Sequence, residues 1–160
     1  MKNLRLLLLL LPLLAACSHV TTRTAEHVDL GSYHHIYVEH LLTDGPSVGQ
    51  IIARQLRQRG YDALAGPLTL MPPNTELIVG YLDQWNFDFT YYLIEIDLQV
   101  RTAHGDKLLA TGRHFRPSVT GKSPAAMVDA VLDKLFKPIG PALPEPAPLP
   151  GIETESPSRT

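Results

Sequence analysis

Cys17 is the only cysteine of the chain, and Leu14, Ala15 and Ala16 stand directly before it. A thiol at such a position is a nucleophile that can be alkylated on its sulfur once it is deprotonated. It cannot form a disulfide within the chain, because there is no second cysteine. The sequence therefore predicts a fold that is held by its core alone.

A leader of the secretory type precedes this cysteine. Lys2 and Arg5 form a charged start, and an apolar, leucine-rich stretch follows over residues 6–14, which is the composition of a signal peptide. The stretch is shorter than the roughly 20 apolar residues of a transmembrane helix, and the residues after Cys17 are polar. Ordinary secretion with cleavage near the alanines is the alternative, but it does not call for a cysteine.

The segment Leu14-Ala15-Ala16-Cys17 resembles the lipobox of bacterial lipoproteins. This resemblance implies that residues 1–16 are a lipoprotein signal peptide, that Cys17 carries a lipid on its sulfur, and that its new amine is acylated. Several acyl chains would hold the protein on a membrane essentially permanently, whereas one chain binds only marginally. Ser18 follows the cysteine, and the sorting habit of these lipoproteins then points to the outer membrane and its periplasmic face.

The charge balance argues against nucleic acid as a partner. The chain has 14 basic and 16 acidic residues, for a formal charge of −2. Removal of the leader takes away Lys2 and Arg5 and no acid, so the mature chain carries a formal charge of −4. A binding surface for nucleic acid is normally basic.

Two further patterns could suggest nucleotide or metal chemistry. Gly121-Lys122-Ser123 resembles the end of a phosphate-binding loop, but Arg116 stands where that loop needs its first glycine. His34, His35 and His40 are the only local group of histidines, and neighbours on a strand point to opposite faces. The sequence therefore predicts no cofactor other than covalent lipid and no metal site.

Catalytic residues are not apparent either. Ser47 lies in a helix-start signal and not in a nucleophile elbow. Glu95 and Asp97 share one face of an alternating strand, where a carboxylate pair is usually solvated and does not act as an acid and base. We therefore expect a protein that is not an enzyme.

Aromatic residues are concentrated between Tyr81 and Tyr92, mostly at odd positions. Apolar residues occupy even positions from Ile94 onward, so a turn or bulge is required near residues 88–90. The aromatic residues could close the open end of the core. Alternatively they could form a surface for a protein partner, whose residues would be Trp85, Phe87 and Phe89.

The periodicities predict an α+β domain over residues 32–137. Alternating strands are predicted over residues 33–40, 77–82, 94–101 and 107–115, and amphipathic helices over residues 46–59 and 124–137. The order β-α-β-β-β-α indicates a mostly antiparallel sheet of about four to five strands with both helices on one face. If the loop after residue 103 has three residues, Asp97 lies opposite Arg113. Arg54, Arg57 and Arg59 lie off the apolar stripe of the first helix and are expected in solvent.

The two ends of the mature chain are expected to lie outside this domain. Residues 17–31 are predicted to be a tether between the lipid and the domain. Residues 138–160 are rich in proline and poor in apolar side chains, which is typical of a disordered or polyproline II tail. This tail could be inert or could bind a partner.

The sequence resembles a group of small proteobacterial lipoproteins of uncharacterised function. Besides the lipobox, the shared features are the pattern Tyr81-x-Asp83-x-Trp85-x-x-Asp88, the strand over residues 108–112 and the helix start at Ser123-Pro124. The resemblance implies a location and a fold but no activity. We therefore expect an envelope protein that binds another envelope component or a second copy of itself. The alternatives are an accessory subunit of a transport or polysaccharide-export assembly and a small periplasmic hydrolase.

Overall fold

The computed structural model describes residues 19–40, 48–88, 90–116 and 123–146. The strands are β1 (His19–Thr24), β2 (His35–Glu39), β3 (Asp62–Gly66), β4 (Leu77–Asp88), β5 (Thr90–Thr102) and β6 (Leu108–Phe115). The helices are α1 (Val48–Gln58) and α2 (Pro124–Leu135), with short 3₁₀ turns at Leu30–Ser32 and Leu68–Leu70. None of the helices in these residues is long and apolar enough to cross a membrane.

The strands form one sheet in the order β1-β6-β5-β4-β2-β3. Three pairs of neighbouring strands are antiparallel: β1 with β6, β6 with β5, and β5 with β4. The other two pairs are parallel: β2 with β4 and β2 with β3. The predicted α+β class with a mostly antiparallel sheet is confirmed. The sheet has six strands, because β1 and β3 add to the predicted set.

Both helices cover one face of the sheet and bury the core against it. Ile36 and Val38 of β2 point into this core, as their alternation predicted, and so do Ile96, Leu98 and Val100 of β5. The helices contribute an apolar stripe that includes Ile52, Leu56, Val128, Val131 and Leu132. The opposite face carries no helix among the described residues, and below it is called the open face.

Helix α1 ends as the sequence predicted, at Gly60. This glycine has a φ of +91°, its N–H donates to Arg57 O at 3.0 Å, and Tyr61 N donates to Leu56 O at 3.2 Å. These two bonds form a Schellman motif, which requires a left-handed residue that glycine adopts without strain. The predicted first residues of this helix, 46 and 47, lie outside the described part of the chain.

Arg57 and Arg59 are buried, which corrects the prediction that they lie in solvent. Arg57 Nη1 donates to Ala63 O at 2.7 Å. Arg59 Nη2 donates to Asp129 Oδ1 at 2.7 Å and also contacts Asp133, both on α2. Buried guanidinium groups need such partners, and here they join α1 to β3 and to α2. Arg54 is exposed, as expected.

The N-terminal segment predicted as a tether is part of the sheet. His19–Thr24 forms β1, and its register pairs His19 with Phe115 and Thr24 with Ala110 of β6. The pairing satisfies the outer edge of β6, which would otherwise present unpaired backbone groups to solvent. The folded unit therefore includes residues 19–24, which the sequence analysis had placed outside the domain.

The proline-rich tail also begins later than predicted. Ile139 packs against the core, and its N–H donates to Arg59 O at 2.9 Å. Leu143 N donates to Arg57 O at 3.0 Å. Carbonyls at the end of a helix lack partners within the helix, so residues 138–146 act as a cap for α1. Residues 147–160 lie outside the described part of the chain.

The apolar residues change from odd to even positions between β4 and β5, as expected, and two features of the hairpin account for this change. The chain turns between Asp88 and Thr90, which face each other, and the register shifts once more between Gln84 and Trp85. Because Trp85 pairs with Leu93 and Gln84 with Glu95, Ile94 is the extra residue of a bulge. Leu93 is therefore in the core, whereas Ile94, predicted to be buried, is only partly so.

The core assignment predicts the effect of truncating Leu132. Its side chain is fully buried in the cluster beneath the helices, so Leu132→Ala should lower the free energy of unfolding by about 2–5 kcal/mol. Leu82→Ala, at an exposed leucine of β4, is the matched control and should change it by less than about 0.5 kcal/mol. Urea denaturation of both variants measures the difference, and equal losses would contradict this core.

Candidate functional site

The open face carries a row of charged side chains that the alternation of β5 places there. Glu95, Asp97, Gln99 and Arg101 point away from the helices, as predicted from their odd positions. Apolar residues at the intervening positions hold the strand on the core, so the polar side chains are presented from a rigid surface. This row, together with Glu39 of β2 and Arg113 of β6, forms the first candidate site.

The charges of this row are arranged in pairs. Arg113 Nη2 lies 2.6 Å from Glu95 Oε1, and Arg113 Nε lies 3.9 Å from Asp97 Oδ1. Arg101 Nη2 lies 2.7 Å from Glu39 Oε2. Carboxylates and guanidinium groups thus alternate across three strands and hold one another in position.

The predicted pairing of Asp97 with Arg113 is confirmed by the register of β5 and β6. The loop that produces this pairing differs from the three-residue loop that was expected. Thr102 N donates to Lys107 O at 3.0 Å, so the loop has one residue more than assumed, and a register shift between Val100 and Arg101 restores the alignment. The extra residue is Leu109, which joins the core.

A shallow groove of about 260 Å³ runs along the open face between β2, β4 and β5. Its lining residues are Glu39, Gly80, Tyr81, Leu82, Asp97, Gln99 and Arg101. Gly80 forms the floor, where an added Cβ would come no closer than 3.9 Å to Glu39 Oε2. Leu82 stands beside it with 69% of its surface exposed. The groove therefore combines paired charges with one bare apolar side chain, which suits binding.

Asp97 is the electrostatically unusual group of the row. Partial burial raises the pKa of its carboxyl, a hydrogen bond with Glu95 and the charge of Glu95 raise it further, and Arg113 acts in the opposite direction. Burial is the largest cause of the raised pKa, and the neighbouring carboxyl group of Glu95 adds to it. Asp97 therefore takes up a proton more readily in the folded chain than in the unfolded chain.

The second candidate site is the outer end of the β4–β5 hairpin, from Trp85 to Tyr92, which we call the hairpin tip. Trp85 is partly buried against the core, and its Nε1 donates to Asp83 Oδ2 at 2.6 Å. Phe87 is 61% exposed and Tyr91 is 73% exposed. Their ring centroids lie 5.0 Å apart with the planes inclined at 53°.

The predicted partner surface is thus divided. Trp85 closes the end of the core, whereas Phe87 projects into solvent together with Tyr91, which sequence reasoning did not select. A turn centred on Phe89 would have identified this pair, because Phe87 and Tyr91 are equally distant from it. Phe89 and Cys17 lie outside the described residues.

The remaining candidates from the sequence lie apart from one another. His35 Nδ1 is 3.0 Å from Asp62 Oδ2 at the β3 edge, and His40 Nδ1 is 2.7 Å from the Tyr81 hydroxyl. Ser123 caps α2, where its Oγ accepts from Ala126 N at 3.3 Å. In the described ranges no three His, Cys, Asp or Glu side chains could hold a metal ion together. Ser47, Gly121 and Lys122 fall outside those ranges.

His114 is a buried residue that the sequence analysis missed. It lies on the helix-facing side of β6 with no exposed surface, and its Nδ1 is 3.0 Å from Met127 O on α2. It follows Ala110 and Gly112 at the same alternate positions of β6, and this alternation is the sequence signal for an inward orientation.

Comparison with known proteins relates the chain only to solved structures. No protein-family model and no curated protein matches it. Two structures of the PelC dodecamer from Paraburkholderia phytofirmans are similar. The first, of a variant, has a TM-score of 0.57 at 13% identity and covers 77% of this chain and 98% of that chain. The second has a TM-score of 0.54 at 12% identity, with 77% and 99% covered.

A DUF4136 family protein from Bacteroides thetaiotaomicron matches with a TM-score of 0.47 at 11% identity, covering 74% of this chain and 94% of that chain. At these identities the PelC structures establish a shared fold. They show that this fold occurs in a protein that forms a dodecamer.

The raised pKa of Asp97 predicts the pH dependence of stability. A carboxyl group that binds its proton more tightly in the folded state stabilises the fold at low pH. This contribution is lost as the pH rises from the ordinary value of 3.8 through the folded-state pKa. Asp97→Asn should therefore be at least as stable as the unchanged chain at neutral pH, and its stability should fall less over that interval.

Thermal melts from pH 3 to pH 7 measure this difference. Gln99→Asn, on the same face of the same strand, is the control and should leave the pH profile unchanged. A marked loss of stability of Asp97→Asn at neutral pH would contradict the assignment.

Proposed function

We propose that this protein is a lipid-anchored, non-enzymatic component of the bacterial cell envelope that binds another envelope component through its open face. It is held by Cys17 on the periplasmic face of the outer membrane. The observation that carries the binding role is the solvent-exposed part of the open face, on which Leu82 lies exposed beside the paired charges of Glu39 with Arg101 and of Asp97 with Arg113.

The geometry of this face supports recognition. Each carboxylate of the groove contacts an arginine, which restricts its position before any partner arrives. Charged groups arranged in this way select a partner with the complementary pattern and exclude others. An exposed leucine among them supplies apolar area that a partner would cover. Among the residues that the structure describes, no histidine, serine or cysteine lines the groove, so a hydrolase, the third function considered, has less support.

A subunit of a larger assembly is the second candidate function. The PelC structures with the same fold are dodecamers, which favours a partner that is another copy of this chain. The mixture of both charge signs on one face also suits contact between identical subunits, because such a surface can be complementary to itself. An accessory role in a transport or polysaccharide-export assembly would use this arrangement.

The lipid anchor predicts the behaviour of Cys17→Ser. This variant cannot be lipidated and should be recovered in the soluble fraction after export, whereas Ser18→Ala should stay with the membranes. Intact-mass analysis of the unchanged protein should show a mature chain that begins at Cys17 and carries acyl groups. An unmodified thiol, or equal solubility of the two variants, would contradict the anchor.

The binding face predicts a site-specific crosslink. A photoreactive amino acid in place of Leu82 should form a covalent adduct in intact cells, because Leu82 is exposed on the groove. The matched control places the same group at Leu143, an exposed leucine beside α1, and should give no adduct. Mass spectrometry of the adduct distinguishes a second copy from a different envelope component.

Asp83→Asn, on the same strand but away from the groove lining, should leave the adduct at position 82 unchanged, whereas Arg101→Gln should reduce it. Equal labelling from positions 82 and 143, or none from either, would contradict a partner on the open face.

A further inference from the structure

The hairpin tip and the start of β1 lie at the same end of the sheet. His19 is opposite Phe115, Phe115 is opposite Glu95, and Glu95 is opposite Gln84. The first residue of β1 is therefore level with Gln84 of β4. The hairpin tip continues beyond this level, and His19, the first described residue, is at the same end of the sheet.

Chain length limits how far Cys17 can lie from this end. Cys17 precedes His19 by two residues, so their Cα atoms are at most about 7 Å apart. Phe87 follows Gln84 by three residues of regular strand, which places it about 10 Å beyond the level of His19. Chain length therefore keeps Cys17 close to the end of the sheet at which Phe87 and Tyr91 lie.

The side chains of the hairpin tip suit the boundary between lipid and water. Phe87 and Tyr91 present a mostly exposed pair of rings in contact, and Phe115 is 37% exposed on the other side of the sheet at the same end. Asn86 Nδ2 donates to the Tyr92 hydroxyl at 3.1 Å, so polar groups of the ribbon are paired. Aromatic rings with a polar group concentrate at membrane interfaces.

We propose that the hairpin tip, through Phe87 and Tyr91, is a second membrane contact that enters the headgroup region of the bilayer carrying Cys17. This inference rests on the proposed lipid anchor. Asp88 is the only charged residue between Trp85 and Tyr92, and it lies at the turn, where the ammonium groups of phosphatidylethanolamine can pair with it.

The second contact has a consequence for orientation. A lipid on one residue leaves a domain free to rotate about its tether, whereas two contacts at one end of the sheet restrain it. The strands would then stand upright on the bilayer, and the open face would be presented sideways. A partner on the same membrane could reach the groove in that orientation.

The experiment uses the single thiol of the mature chain. Coupling Cys17 to a maleimide lipid in vesicles of phosphatidylethanolamine and phosphatidylglycerol reproduces the anchor without cellular processing. The native Trp85 is replaced by Phe, and Phe87→Trp places the only indole at the hairpin tip. Groups at the interface are buried by roughly 5–10 Å at the boundary between headgroups and acyl chains. Bromine on the acyl chains near the glycerol lies at this depth and should therefore quench the fluorescence of this indole.

The matched control is Leu108→Trp in the same Trp85→Phe background. Leu108 is exposed at the start of β6, opposite Arg101, and thus at the far end of the sheet. Its indole should remain unquenched. Adding Tyr91→Ser to the Phe87→Trp chain should reduce the quenching at least twofold, and circular dichroism verifies that the fold is retained.

Quenching at position 87 and not at position 108 supports the inference. Equal or absent quenching at both positions overturns it, even if Cys17 proves to be lipidated in cells. If the hairpin tip instead contacts a protein, the indole at position 87 stays unquenched in vesicles, and this result also overturns the membrane contact. An unmodified Cys17 in cells together with quenching in vesicles would remove the anchor and leave the lipid affinity of the hairpin tip established.

Discussion

The antiparallel pairing of β4 with β5 is the constraint on which both candidate surfaces depend. Near the middle of the sheet this pairing sets Val79 against Val100 beneath the helices. Farther along, the same two strands continue past the ends of their neighbours and carry Phe87 and Tyr91 outward. One ladder of hydrogen bonds thus joins the core, the groove and the hairpin tip in a rigid relation.

The bulge at Ile94 allows β5 to contribute to the core and to the open face at the same time. Without it, the alternation that buries Ile96 and Leu98 would turn Leu93 away from the core. With the extra residue, Leu93 packs opposite Trp85 while Glu95 and the residues after it keep their charges on the open face. A local irregularity in one strand therefore allows an apolar end of the core and a polar sheet face to coexist.

The first and the last segments that the structure describes are both bound to the domain. β1 completes the sheet beside β6, and residues 138–146 supply donors to the last carbonyls of α1. Arg59 joins α1 to α2 through Asp129 and Asp133. Since His19 already pairs with Phe115 in the sheet, only one residue stands between Cys17 and a paired residue of the fold. A lipid at Cys17 would therefore hold the domain close to the bilayer, which is why the composition of that end of the sheet matters.

The sequence by itself determined four of the six strands and both helices, the inward face of β2 and of β5 from Ile96 onward, the cap at Ser123 and the end of α1 at Gly60. These features follow from period, propensity and capping, which act over a few residues. The leader and the lipid on Cys17 remain predictions of the sequence. The tertiary structure alone decided that β1 and β3 join the sheet and that Arg57 and Arg59 are buried. It also decided that Ile139 packs on the core and that Phe87 meets Tyr91 at the end of the sheet where β1 starts. The physical reason is that a local period selects the face a residue occupies, whereas its neighbours there depend on contacts between segments far apart in the chain.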